Sequence, residues 1–161
     1  MKRRMKVKVA DLFQINVGSR YALIRVIAIG KWAPLCELYK PTEVKQSISK
    51  KLTLDTIQRM EVAFINLYVL QNQAVYLGQY FPVPSTSDLP PYFTGFLNEC
   101  WELHFWDGRV QKMKGKNVSC AEMLSRGYFC ATIFSLEQVL EFYKGVPLKR
   151  LSIRAGPESG E

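Results

Sequence analysis

With 161 residues, 48% of them apolar, the chain is long enough to bury one hydrophobic core and too apolar for intrinsic disorder beyond its ends. Its four cysteines are far apart with no CxxC pair, and its one histidine lacks a second imidazole, so we read the cysteines as buried thiols and expect no metal and no cofactor. Lysine and arginine outnumber aspartate and glutamate 22 to 14, and the net charge of +8 favours an acidic partner, although charges scattered in threes and fours also serve plain solubility.

The N-terminal MKRRMKVKV carries a positive flank with no apolar run behind it, and no segment reaches the roughly 18 consecutive apolar residues of a membrane span. The expectation is a cytoplasmic protein without membrane association: a basic tail over 1–6, a single globular domain over 7–153 and a disordered tail over 154–161. Val7 to Val17 alternates loosely, Gly18-Ser19 breaks it, and Tyr21 to Ile29 follows with only Arg25 among apolar residues, which predicts an antiparallel hairpin. After Gly30, Trp32 to Tyr39 continues as a third strand, with Pro34 restricting it to an edge or a bulge. The lysine-rich stretch from Lys40 to Arg59 is the longest predicted loop, with Asp55 and Gln58 spaced to cap one helical turn.

The chain's organising stretch runs from Met60 to Pro82. Its first half is β-branched, aromatic and aliphatic almost without interruption, which predicts a strand buried on both faces. Gln71-Asn72-Gln73 then turns the chain, a second apolar run spans Ala74 to Leu77, and Gly78, Pro82 and Pro84 end it. Everything else can be laid against this pair of strands.

Pro82 to Pro91 is stiff and irregular. Cys100 to Met113 is a hairpin with Asp107-Gly108 as a two-residue type I′ turn, which would place Trp106 opposite Arg109, Phe105 opposite Val110 and His104 opposite Gln111. Lys112, Lys114 and Lys116 mark the returning strand as an edge. Ser119 and Glu122 form a capping-box pattern for one short helix ending at Gly127, Tyr128 to Phe134 is a strand, and Ser135 with Gln138 opens a second helix closed by Gly145. The predicted fold class is α+β, mainly antiparallel β: a strongly bent sheet or small SH3-like barrel with two short helices near the C-terminus.

No catalytic signature is present: no phosphate-binding loop, nucleophile elbow, HExxH or dinucleotide fingerprint. Glu102 with His104 is the one nearby carboxylate and histidine, and an exposed or hydrogen-bonded histidine on a sheet surface explains them without catalysis. Trp106 and Arg109 at the hairpin tip are residue types that anchor protein interfaces, and a cation–π contact stabilising the turn is the equal alternative. Trp32 could be a contact or end packing, and Lys50 and Lys51 are loop charges that could meet a partner or only water. Basic residues interleaved with aromatics also allow a nucleic-acid-binding module, though no GxxG loop or aromatic RNP signature accompanies them.

The order of segments, with Asp11-Leu-Phe-Gln-Ile, then Arg20-Tyr-Ala and Arg25-Val, resembles the "G-D-[VI]-F-x-I-P … G-x-Y-x-x-x-R-V" start of the immunity protein 26 family, and Tyr76-Leu-Gly-Gln-Tyr-Phe-Pro resembles that family's "W-x-x-I-G-x-x-P" segment. The similarity spans about residues 9 to 145. Ala10 stands where the family has glycine, Asn16 where it has proline, and Val75 or Tyr76 where it has tryptophan. The resemblance implies a bacterial, non-enzymatic protein encoded beside a polymorphic toxin, which protects its producer by binding that toxin. A basic inhibitor would further imply an acidic toxin face or a non-nuclease toxin.

Overall fold

Gly18, with φ of 61°, occupies the first position of a two-residue loop where a mirror-image hairpin turn wants glycine, and it joins β1 (Asp11–Val17) to β2 (Arg20–Ile29) with Val17 opposite Arg20. A computed structural model describes residues 5–46, 54–94, 100–114 and 125–147. Lys50, Lys51, the expected helix start at Ser119 and the expected tail over 154–161 lie outside the described residues.

The fold is α+β and dominated by antiparallel strands. It divides into two compact units, Met1–Val83 with Ile133–Lys144, and Pro84–Thr132 with Gly145–Glu161. In the first, a six-stranded sheet adds β3 (Pro34–Tyr39), β4 (Arg59–Ile65), β5 (Val75–Gln79) and β10 (Ile133–Phe134) in the order β10-β4-β3-β2-β1-β5. All pairs are antiparallel except β10 with β4. Ala22 to Ala28 and all of β3 are buried without alternation, so both faces of the central strands are covered. Leu12, Phe13, Leu23, Ile24, Leu35 and Leu38 are among the core side chains.

Two expectations about this sheet are corrected. Pro34 does not place β3 at an edge: the strand lies between β2 and β4, and proline is tolerated because it is the first residue of the strand, while the bulge falls on β2 between Val26 and Ala28. The apolar run after Met60 is not one doubly buried strand either. Met60 and Glu61 are exposed, β4 ends at Ile65, and Asn66 starts a helical turn, of π type over Val69–Gln73, that buries Val69 and Leu70 while exposing Leu67 and Tyr68. A short apolar run has no period to separate strand from helix, and here the asparagine side chain, accepting from the Tyr68 N–H at 2.9 Å, starts the turn. The two halves are not neighbours: β4 pairs with β3 and β10, β5 with β1, so they bracket the meander instead of forming its centre. Gly78 sits inside β5 opposite Leu12, with φ of 123°, beside the register shift that bends this edge.

Ser135 and Gln138 form the anticipated capping box, the Ser135 hydroxyl accepting from the Gln138 N–H at 3.3 Å and the Gln138 side chain from the Ser135 N–H at 3.0 Å. They start α1 (Leu136–Tyr143), whose Val139 is fully buried and whose Tyr143 hydroxyl donates to the Tyr39 carbonyl at 2.9 Å. The second unit holds a four-stranded sheet in the order β8-β7-β6-β9, from β6 (Tyr92–Thr94), β7 (Cys100–His104), β8 (Val110–Lys114) and β9 (Phe129–Cys130). The lysine-bearing β8 is its edge strand.

Candidate partner-binding site

The hairpin tip is built differently from the two-residue turn expected. Phe105 N–H donates to the Arg109 carbonyl at 2.9 Å and Gly108 N–H to the Phe105 carbonyl at 3.1 Å, so Phe105 pairs with Arg109 across a three-residue loop, and His104 lies opposite Val110. Gly108, with φ of 94°, takes the left-handed position that closes such a loop. The one-residue change moves Trp106 out of the ladder and into the turn. Its indole N–H donates to the Pro90 carbonyl at 2.8 Å and its ring tilts against Tyr92 at 5.1 Å.

Arg109 is mostly exposed yet held in place. Its backbone N–H donates to Asp107 Oδ1 at 3.0 Å, its Nε to Asp107 Oδ2 at 2.7 Å, and its guanidinium lies 4.8 Å from the centre of the Phe105 ring. The Arg109 backbone N–H, followed by its side chain, holds the Asp107 carboxyl below the ordinary aspartate pKa. Trp106, Asp107, Arg109 and Phe105 line one open concavity of about 330 Å³ together with Thr86, Ser87 and Leu89. The two residues singled out at the tip therefore face one hollow, the tryptophan fixed by a hydrogen bond and the arginine by its own turn.

Trp32 belongs to the other unit. It sits in the turn between β2 and β3, closed by Gly30 N–H donating to the Ala33 carbonyl at 3.0 Å, and its side chain is 51% exposed with the Lys31 ammonium 5.1 Å from the ring centre.

His104, expected to be exposed or hydrogen-bonded on a sheet surface, is hydrogen-bonded but buried: it stacks on Tyr92 at 5.1 Å with an interplanar angle of 11°. Its Nε2 lies 3.3 Å from both Glu102 Oε2 and Thr94 Oγ1. Both oxygens approach the same ring nitrogen, which makes a hydrogen-bonded cluster within the sheet. Among the described residues no three His, Cys, Asp or Glu side chains are placed to hold a metal ion, and no helix is long and apolar enough to cross a membrane.

The residues that the sequence concealed are Arg25 and Glu37. Both are buried, and Arg25 Nε and Nη2 donate to Glu37 Oε1 at 2.9 and 2.7 Å, while its Nη1 donates to the carbonyls of Tyr80 and Pro82 at 3.3 and 2.8 Å. Glu37 also accepts from the Tyr39 hydroxyl at 2.8 Å and from Arg59 Nη1 at 3.2 Å. Burial, then the bond to Glu37, pushes the Tyr39 pKa well above the ordinary tyrosine value. The network ties the segment after β5 to the middle of the sheet, and alternation along β2 gives no sign of it beyond one charge in an apolar run.

Searches of protein-family models, curated proteins and solved structures find no match to this chain.

Proposed function

We propose that this chain is an immunity protein of the immunity protein 26 kind, a cytoplasmic, non-enzymatic inhibitor that binds a cognate toxin protein and occludes it. The observation carrying this reading is that the segments on which the resemblance rests meet in one place. Arg25 donates to the carbonyls of Tyr80 and Pro82, Leu12 pairs with Gly78, and the Tyr76 hydroxyl donates to Asp11 Oδ1 at 3.5 Å. Chance matches scattered along a chain have no reason to pack on one another. Ala10, where the family carries glycine, has φ of 74°, a backbone conformation that glycine adopts without strain, so even this departure falls where the family's residue would suit.

The finer fold reading is a small SH3-like barrel for the first unit. Support comes from the consecutive β1 to β4 meander, with β5 brought back to β1 after a single helical turn. For the binding surface we take the hairpin tip, where Trp106 and Arg109 are already held in place beside an open hollow. Side chains fixed before association lose little rotamer freedom on binding, which is how a few residues come to dominate an interface. An acidic face on the toxin complements Arg109 and the net charge of +8.

The test is co-expression with the toxin gene beside its own. Wild-type chain should rescue growth, and W106A/R109E should abolish rescue while keeping the hydrogen-exchange protection of the first unit. Rescue retained by the double variant overturns the hairpin-tip surface. No rescue by wild type, with salt-sensitive recovery of nucleic acid from the purified chain, overturns the immunity reading in favour of a nucleic-acid-binding module.

A further inference from the structure

The turn between β2 and β3 carries large apolar side chains that are exposed together. Ile29 at 51%, Trp32 at 51% and Leu67 at 40% exposure line one hollow of about 260 Å³ together with Gly30, Ala33 and Pro34. Three large apolar side chains converging on one depression are a feature of contact sites, whereas single exposed ones are ordinary. The turn that presents Trp32 is also tightly specified: a Cβ on Gly30 would lie 2.8 Å from Phe64 Cε1 and 2.9 Å from the Ala33 carbonyl oxygen. The hollow is smaller than the roughly 300–1,000 Å³ of small-molecule pockets and suits a single inserted side chain.

Charge decides between occupants. Lys6 and Lys31 stand among the lining residues, and among the described residues no carboxylate does. A second copy of this chain would bring the same lysines and a net +8 against its own, so self-association through this face is opposed. A lipid surface takes protruding side chains, and these three line a depression.

We infer that this hollow receives an aromatic or large aliphatic side chain flanked by carboxylates, from an acidic segment of a partner protein. It is a second contact surface, on different residues from the hairpin tip and independent of that assignment. Lys31, 5.1 Å from the centre of the Trp32 ring, and Lys6 in the same lining meet the flanking carboxylates.

The experiment uses the full chain labelled with ¹⁵N at its tryptophan indoles, the Trp32 resonance being the one lost in Trp32→Phe. The capped peptide Glu-Asp-Phe-Asp-Glu is titrated in, beside a version with serine for phenylalanine and the basic peptide Lys-Lys-Phe-Lys-Lys. The acidic phenylalanine peptide should move the Trp32 resonance, and its affinity should fall at least tenfold with the serine peptide, in Leu67→Ser and in K6E/K31E. W106A/R109E should bind it unchanged, which separates failure here from failure of the hairpin-tip assignment. A Trp32 resonance that stays put at millimolar peptide overturns the inference, as does equal binding of the basic peptide. So does a concentration-dependent dimer in sedimentation that broadens Trp32, or perturbation of Trp32 by vesicles of phosphatidylcholine and phosphatidylserine at lower concentration than by the peptide.

Discussion

Replacing Glu37 with glutamine keeps its volume and one acceptor oxygen and removes its charge, leaving Arg25, whose side chain is 9% exposed, without its counter-ion. Removing one member of a buried pair costs about 3–5 kcal/mol, because the remaining charge stays desolvated. The carbonyls of Tyr80 and Pro82 still accept from Arg25, and Arg59 is 54% exposed on its side chain and can turn to water, so the lower end applies: about 3 kcal/mol for E37Q. Amide exchange at Ile24, Val26 and Leu38, in strands that open only when the first unit does, should accelerate about a hundredfold, since each ~1.4 kcal/mol is a factor of ten. R25L should cost a similar amount, and R25L/E37Q clearly less than the two singles together, because the double change removes both unpaired charges. Acceleration of less than tenfold in E37Q, or a double variant whose cost equals the sum of the singles, would refute the claim that Arg25 depends on Glu37.

Ala10→Gly should stabilise the first unit by about 0.5–1 kcal/mol, since a side chain is strained at φ of 74° and this one contributes only a buried methyl; a lower urea midpoint would show that the methyl's packing outweighs the strain. Burial raises the pKa of Tyr143, and burial with Glu37 that of Tyr39, so both stay neutral in the fold while an unfolded tyrosine ionises near ~10. Their contribution is complete below about pH 10 and lost as the pH rises beyond it, so the urea midpoint should fall from there upward. In the ultraviolet titration Tyr39 and Tyr143 should ionise only on unfolding, and a midpoint unchanged through pH 11 would contradict this.

Features set by neighbouring residues were legible in the sequence. Gly18-Ser19 between two alternating runs, the Ser135 and Gln138 capping box and the lysines of β8 each act within a few residues, and each is found where the pattern puts it. The Asp-Gly turn was legible in place but not in type: both a two-residue and a three-residue loop want glycine with positive φ, and the difference of one residue shifts every pairing along β7 and β8. Apolar content alone could not show that the run after Met60 changes from strand to helical turn at Asn66.

The proposed binding surfaces and the ion network follow a different logic, because their members are remote in the chain. Arg25 looked like a break in a strand; its meaning depends on Glu37 in the adjacent strand and on carbonyls 55 and 57 residues away, and no local pattern encodes a carbonyl. The Trp32 hollow likewise joins Lys6, the β2–β3 turn and Leu67, three segments each unremarkable alone. Residue type does make Trp32, Trp106 and Arg109 candidates, and geometry places them: Trp106, donating to Pro90, and Arg109, donating to Asp107, stand beside one hollow, and Trp32, about half exposed, beside another. On the proposal for that hollow, a partner side chain would desolvate the exposed half of Trp32, and Lys6 and Lys31 beside it would favour acids around the approaching side chain.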